Sequence, residues 1–134
     1  MLSVLKIRNI AIIENAEIEF SKGFNVLTGE TGAGKSIILD SINAVLGFRT
    51  SRELIRTDSN SAEVSAFFEN INDDVVNLLN EIGVDYEEDR TLLVSRKISV
   101  DGKNVCKVNG TNVTVSMLKK IGQSLINVHG QMDN

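Results

Sequence analysis

Residues 24–36 read Phe-Asn-Val-Leu-Thr-Gly-Glu-Thr-Gly-Ala-Gly-Lys-Ser and are the most informative segment for the fold class. The apolar run at 24–28 predicts a short strand, and the loop after it matches Gly-x-x-x-x-Gly-Lys-Ser/Thr in full. The loop consists of Gly29, Glu30, Thr31, Gly32, Ala33, Gly34, Lys35 and Ser36. Apolar residues then recur at helical spacing and Gly47 suits a helix end, so a helix is predicted from about Lys35 to Leu46.

The loop carries the groups that a chain of phosphates requires. Glycines at positions 29, 32 and 34 let backbone N–H groups approach phosphate oxygens without an intervening Cβ. The helix N-terminus that follows offers free N–H groups and roughly +0.5 of a charge. Lys35 supplies a positive charge for the β and γ phosphates, and Ser36 supplies a hydroxyl for Mg²⁺. The pattern predicts a nucleoside triphosphate site, with ATP and Mg²⁺ as the expected ligands.

The segments that flank the loop predict an α/β chain with α+β character. Apolar and polar residues alternate at 3–8, 15–20 and 62–69, which indicates strands with one buried and one wet face. Between the last of these strands and residue 83, Asn72 is placed to cap a helix that Gly83 closes. The chain therefore opens with strands on both sides of a strand–loop–helix unit.

The second half of the chain predicts an antiparallel meander. Residues 91–113 are rich in strand-forming types and contain Asp-Gly at 101–102 and Asn-Gly at 109–110, the strongest short hairpin signals. Thr114 or Ser116 is placed to cap a short helix that ends at Gly122. An apolar strand is then predicted at 124–128, before the chain reaches His129.

Composition limits the class of protein. At 134 residues with a hydrophobic fraction of 42%, the chain predicts one compact domain, residues 1–134. A net charge of −4 argues against a surface devoted to nucleic acid, although a local basic face remains compatible with it. The single cysteine, Cys106, excludes an internal disulfide and is expected as an apolar filler of a strand. The N-terminus lacks the pattern of a signal peptide, so a cytoplasmic location is expected.

The phosphate loop alone does not choose between GTPases, kinases and ATPases. The chain has no Asn-Lys-x-Asp for guanine recognition. Turnover also needs an acidic residue at the end of a second buried strand to hold the Mg²⁺ shell. The nearest candidate, Asp40, falls on the predicted helix rather than at a strand end, which indicates a solvated helix residue. The catalytic set is therefore incomplete within these residues.

The order of several motifs resembles one branch of the P-loop proteins. The phosphate loop with its Glu30-Thr31 pair, and the residues before it, are similar to the N-terminal lobe of the ATPase head in the SMC-like branch of the ABC superfamily. More narrowly, the chain resembles a bacterial family of that branch that repairs DNA double-strand breaks. The motifs that carry this narrower likeness are Leu46-Gly47-Phe48-Arg49, Glu53-Leu54-Ile55-Arg56, Val108-Asn109-Gly110 and His129-Gly130-Gln131. The resemblance implies that a coiled coil and a C-terminal lobe, with the signature loop and catalytic glutamate, lie beyond residue 134.

The resemblance also implies roles for individual residues. Gln131 matches the glutamine that helps hold Mg²⁺ and the attacking water, and is therefore expected to be catalytic together with Lys35. Arg8 and Asn9 stand where related heads touch the nucleotide. His129 is expected to position the loop rather than to take part in the chemistry. Related heads place one arginine near the phosphates or DNA, and the candidates are Arg49, Arg52 and Arg56.

Three functions compete at this stage. The first is half of an ATP-driven head, in which the C-terminal lobe and a second head complete the site and the full-length protein acts on DNA. The second is a module for nucleotide-dependent assembly without turnover. The third is direct DNA binding by a basic hairpin face, against which stands the simpler interpretation of solvated side chains. That face comprises Arg96, Lys97, Lys103 and Lys107.

Overall fold

The computed structural model describes residues 1–20 and 32–129. Within these residues, six antiparallel strands form one sheet in the order β2-β1-β3-β4-β5-β6. The strands are β1 Leu2–Ile10, β2 Ile13–Glu19, β3 Ser61–Phe68, β4 Leu92–Ser99, β5 Asn104–Val108 and β6 Thr111–Val113. The helices are α1 Gly32–Val45, α2 Asp73–Ile82 and α3 Val115–His129, with a 3-10 turn at Arg52–Leu54. The strand predicted at 24–28 lies outside the described residues.

The sheet buries one face against the helices, as the period-two patterns predict. In β4, Leu92, Val94 and Ile98 are buried, whereas Leu93 and Lys97 are exposed. Helix α1 packs on β1, β3 and β4, and α3 packs on β5 and α2. In the described part of the chain, no helix is both long and apolar enough to span a membrane.

The antiparallel meander predicted at 91–113 is confirmed. In the first turn, the Gly102 N–H donates to the Ser99 carbonyl at 2.9 Å, and Gly102 has a φ of +90°. In the second turn, Asn109 and Gly110 have φ values of +50° and +85°, which is the left-handed geometry that tight hairpins need. Both dipeptides therefore form turns between strands, as their residue types predict.

Helix α2 also begins and ends where its caps predict. The Asn72 side-chain oxygen accepts from the Val75 N–H at 3.0 Å, which satisfies one of the free donors of the first turn. Asp73, in that same turn, pairs with Arg90 at 2.9 Å. Gly83 adopts the left-handed conformation at the other end, with φ of +80°.

The final segment departs from the prediction. The short helix was expected to end at Gly122 and a strand to follow at 124–128, but α3 continues as one helix to His129. Its start is as predicted, because the Thr114 hydroxyl accepts from the Met117 N–H at 3.0 Å. The strand prediction was wrong because a short apolar run suits a buried strand and a buried helix equally. Leu118, Ile121 and Leu125 are buried on one face of α3.

Gly122 serves close packing rather than helix termination. A Cβ at this position would lie 2.1 Å from the Leu46 carbonyl oxygen, because α3 crosses the end of α1 there. Gly47, in the turn that follows α1, also lies close to α3, since a Cβ added there would lie 2.5 Å from the Lys119 backbone nitrogen. Two glycines thus let the backbones of α1 and α3 touch.

We expect Gly122→Ala to destabilise the fold by about 1–3 kcal/mol, because the added methyl group overpacks a backbone contact. In an open helix interior the same change would stabilise by about 1 kcal/mol, so the sign of the effect is diagnostic. Urea unfolding measures it, and Gln123→Ala, at the exposed neighbouring position, is the control with an expected change within about 0.5 kcal/mol. A more stable Gly122→Ala variant would contradict the close crossing.

Candidate functional site

Helix α1 carries the candidate site at its N-terminus and is anchored through its buried face. Ile37, Ile38 and Ala44 are buried against the sheet. Ser41 is fully buried as well, and its hydroxyl donates to the Ile37 carbonyl one turn earlier at 2.8 Å. This internal bond satisfies the hydroxyl without a partner from the sheet. The helix is therefore held along its length by apolar contacts.

The first turn of α1 leaves its polar side chains in solvent. Lys35 and Ser36 are both exposed, directly before the buried pair at 37–38. No acidic residue lies in this turn. A helix N-terminus that exposes a lysine and a hydroxyl and has no carboxylate suits a polyphosphate with its metal. The residues present therefore fit Mg²⁺ and a nucleotide.

The helix begins at Gly32, three residues before the predicted start at Lys35. The backbone of Gly32, Ala33 and Gly34 is thus part of the first helical turn. The other predicted loop residues, Gly29, Glu30 and Thr31, lie outside the described residues. Gln131, the second predicted metal ligand and catalytic residue, also lies outside them.

Arg8 and Asn9 lie near the end of β1. Arg8 is exposed and sits in register between Asn15 of β2 and Glu63 of β3. Asn9 has a φ of +57°, and its carbonyl accepts from the Arg56 N–H at 2.8 Å. Among the described residues, no hydrogen bond or ion pair joins Arg8 or Asn9 to Lys35 or Ser36. Their role in binding nucleotide stays a prediction.

The three candidate arginines after α1 are in different surroundings. Arg52 donates to the Val100 carbonyl at 3.1 Å, and Arg56 donates to the Ile12 carbonyl at 2.9 Å. Arg56 is also part of the bridge that ties the connector to the end of β1. Arg49 is exposed. Two of the three guanidinium groups therefore brace loops, and Arg49 is the one best placed to reach an external anion.

Arg96 corrects the predicted basic face. It is only 5% exposed and points to the helix side of β4, whereas Lys97, Lys103 and Lys107 are exposed. Strand alternation could have found this, since position 96 shares its phase with the buried Val94 and Ile98. At least one of the remaining lysines has an acidic neighbour, because Lys97 lies directly across from Glu63 on β3. Both observations favour the interpretation that this face carries solvated side chains rather than a DNA-binding surface.

Cys106 is the cross-strand neighbour of Arg96 and is buried. Burial raises the pKa of the Cys106 thiol, and the nearby Arg96 offsets this only in part. The thiolate is the reactive form, so a buried thiol with a raised pKa is inert in the folded chain. The expectation of an apolar filler agrees with this environment.

We therefore expect Cys106 to react with a thiol reagent at neutral pH at least ~10³-fold more slowly in the native chain than in urea, since reaction requires opening of the fold. The reaction is followed by the absorbance of the thiolate that the reagent releases, and free cysteine in the same buffer is the control. Rapid native labelling would show that the strand pair β4–β5 opens far more easily than its burial indicates.

These features define a class of protein. A phosphate-loop motif that enters a helix packed on an antiparallel sheet is the fold of P-loop ATPase heads of the SMC type. The chain belongs to the AAA domain family, whose model matches residues 4–133. Over its whole length it is similar to bacterial proteins named DNA repair protein RecN, which agrees with the narrower resemblance seen in the sequence.

The similarity to these relatives is measured in sequence and in structure. The chain is 44% identical to RecN of Bacillus subtilis (strain 168) over 100% of its own length, which is 23% of that relative. It is 41% identical to RecN of Vibrio cholerae serotype O1, over 98% of its length and 24% of that relative. The chain thus spans about a quarter of the length of the curated relatives it matches.

Two solved structures have the same fold. One is an SMC ATPase studied for ATP-driven dimerization and DNA-stimulated activation, which matches with a TM-score of 0.69 and 28% identity. That match covers 93% of this chain and 79% of the other. The second is an SMC head bound to the C-winged helix domain of ScpA, with a TM-score of 0.64 and 26% identity, covering 92% and 40% of the two chains. The predicted fold class is confirmed.

Proposed function

We propose that this chain binds the triphosphate of ATP together with Mg²⁺ through residues 29–36. The observation that carries the proposal is the start of α1, where Lys35 and Ser36, the last two residues of a complete phosphate-loop motif, are exposed and the first helical turn has no acidic residue. Buried apolar contacts fix the helix behind them, so the site rests on a rigid element.

Each residue has a role in this proposal. Backbone N–H groups of 29–34 surround the phosphates, Lys35 neutralises charge on the β and γ groups, and Ser36 binds Mg²⁺. Gln131 holds the metal and the attacking water from a second side. Arg8 and Asn9 contact the nucleotide from the end of β1.

In the same proposal, residues 1–134 form the N-terminal lobe of an SMC-like ATPase head that acts in DNA double-strand-break repair and recombination. The similarity to DNA repair proteins over the whole chain supports this setting. The C-terminal lobe of the same protein completes each site, and a second head closes over the ATP. The full-length protein binds DNA and works at the nucleoid in the bacterial cytoplasm.

A second candidate is nucleotide-dependent assembly without turnover, which the same site would serve. The two functions share the binding step and differ only in hydrolysis. Phosphate release by the full-length protein therefore separates them: sustained turnover supports the ATPase, and nucleotide-dependent association without release supports the assembly module.

The binding step is tested by titrating the chain with labelled ATP and labelled GTP, each with and without Mg²⁺. We expect saturable binding of ATP that weakens when Mg²⁺ is omitted, because Ser36 then has no metal to bind. Preference for GTP would contradict the base assignment. The absence of saturable binding to either nucleotide would overturn the proposed site.

A further inference from the structure

Arg96 is a buried cation whose partners all lie at one place in the fold. Its Nη1 donates to the Ala44 carbonyl at 2.9 Å and to the Phe48 carbonyl at 2.8 Å. Its Nε donates to the Asn104 side-chain oxygen at 2.9 Å. Within residues 1–20 and 32–129, no carboxylate forms an ion pair with it. A guanidinium that gives up water for three hydrogen bonds is an expensive group to bury, so its geometry is strongly specified.

The Ala44 carbonyl belongs to the last turn of α1, and the Phe48 carbonyl lies in the connector three residues after the helix ends at Val45. The last carbonyls of a helix have no partner within the helix, and they carry its partial negative charge. The Ala44 carbonyl also accepts from the Gly47 N–H at 3.0 Å, so Arg96 joins the helix end to the turn that leaves it. From the sheet side, Arg96 thus fixes the end of α1, while Gly47 and Gly122 fix it from the α3 side.

The opposite end of α1 carries Lys35 and Ser36. Ala44 lies roughly 12 Å along the axis from Ser36, at ~1.5 Å per residue. That separation is too long for a direct contact between Arg96 and bound phosphates. A packed helix moves as one rigid body, so an anchor at its C-terminal end sets where its first turn lies against the sheet. Comparison of Arg96→Lys, which keeps the charge, with Arg96→Met separates this positional effect from a long-range effect of the charge.

We propose that Arg96 is a positioning residue of the nucleotide site, acting through the C-terminal end of α1. The inference rests on the proposed ATP binding by residues 29–36. It gives a role in nucleotide binding to a residue of β4, which lies outside the phosphate-loop motif. The guanidinium fork matters more than the charge, because one planar group must reach the Ala44 carbonyl of α1, the Phe48 carbonyl of the connector and the Asn104 side chain at once.

The test compares Arg96→Lys, Arg96→Met and Asn104→Ala with the wild-type chain. Arg96→Lys keeps the charge and loses the fork. Asn104→Ala removes the partner of Nε, and with it a long 3.4 Å hydrogen bond from Asn104 to the Gly102 carbonyl. Because Asn104 is exposed, this variant keeps the test valid if Arg96→Met does not fold. Lys97→Met is the matched control, because it removes an exposed cation from the opposite face of the same strand.

We expect both Arg96 variants to bind labelled ATP with Mg²⁺ about 10-fold to 100-fold more weakly than wild type, at temperatures below their melting transitions. Asn104→Ala is expected to lose less, and Lys97→Met to bind as wild type. Wild-type affinity for ATP in Arg96→Lys, Arg96→Met and Asn104→Ala would overturn the positioning role and leave the proposed function in place. Failure of the wild-type chain itself to bind would overturn the proposed function and this inference with it.

A second readout needs no nucleotide. Amide hydrogen exchange of α1 should increase in the Arg96 variants not only at 44–48, beside the lost hydrogen bonds, but also at 36–39 behind the first turn. A purely local structural role predicts faster exchange at 44–48 and unchanged exchange at 36–39. Faster exchange confined to 44–48 would contradict the proposal that Arg96 influences the N-terminal end of α1.

Discussion

Replacing Lys35 by alanine is expected to abolish nucleotide binding and to leave the fold intact. The ammonium group does not contribute to the core, because the residue is exposed in the first turn of α1. Loss of a charge-assisted contact to the β and γ phosphates costs about 3 kcal/mol or more, which weakens binding by at least about 10²-fold. The free energy of unfolding should change by no more than about 0.5 kcal/mol. Titration with labelled ATP and urea unfolding measure the two effects.

Lys120→Ala, which removes an exposed lysine from α3, is the control for this variant. It changes the net charge equally and lies in a different helix, so ATP affinity should stay at the wild-type value. Wild-type affinity for ATP in Lys35→Ala would contradict the assignment of residues 29–36 as the phosphate-binding loop. A large loss of stability in Lys35→Ala would instead show that the lysine contributes to the fold.

The sheet and α2 could be predicted from sequence because their signals are local. Alternation in a strand with one wet face, the Asp-Gly and Asn-Gly turns, and the Asn72 and Gly83 caps each act within a few residues. These elements match the structure within one or two residues at their ends. Local chemistry is sufficient where an element is specified by its own residues.

The end of the chain could not be predicted in the same way. Gly122 is read locally as a helix end, yet its purpose is a contact with Leu46, which belongs to another segment. The apolar residues after it then resemble a strand, although Leu125 continues the buried face begun by Leu118 and Ile121. The deciding information was tertiary, because only the crossing of α1 and α3 explains a glycine inside a helix.

The candidate site shows the same division. The motif identified Lys35 and Ser36, whose exposure agrees with a role in binding. Arg96 was assigned to the surface with its lysine neighbours, because a charged residue in a strand is usually solvated. Its burial depends on carbonyls that only the folded chain brings to it. The sequence motif was thus sufficient to select Lys35 and Ser36 as candidates, whereas the structure was needed to select Arg96.

The 134 residues alone are expected to hydrolyse ATP negligibly. Phosphoryl transfer needs an in-line water, a metal held from two sides and charge stabilisation on the γ-phosphate. In the proposed site, Lys35, Ser36 and Gln131 position the ground state. The sequence contains neither a Leu-Ser-Gly-Gly-like loop nor an Asp after a run of four apolar residues. Comparable missing elements change rates by ~10³–10⁵, so phosphate release should stay near the level of Lys35→Ala.

Restoring the missing groups provides the positive arm of this experiment. Addition of the C-terminal lobe of the full-length protein should raise phosphate release, and the gain should disappear when Lys35→Ala replaces the wild-type chain. That dependence separates assembly of a composite site from contamination by another ATPase. Turnover by the 134 residues alone that is fast and requires Lys35 would refute the half-site proposal, since every group needed for the chemistry would then lie within this chain.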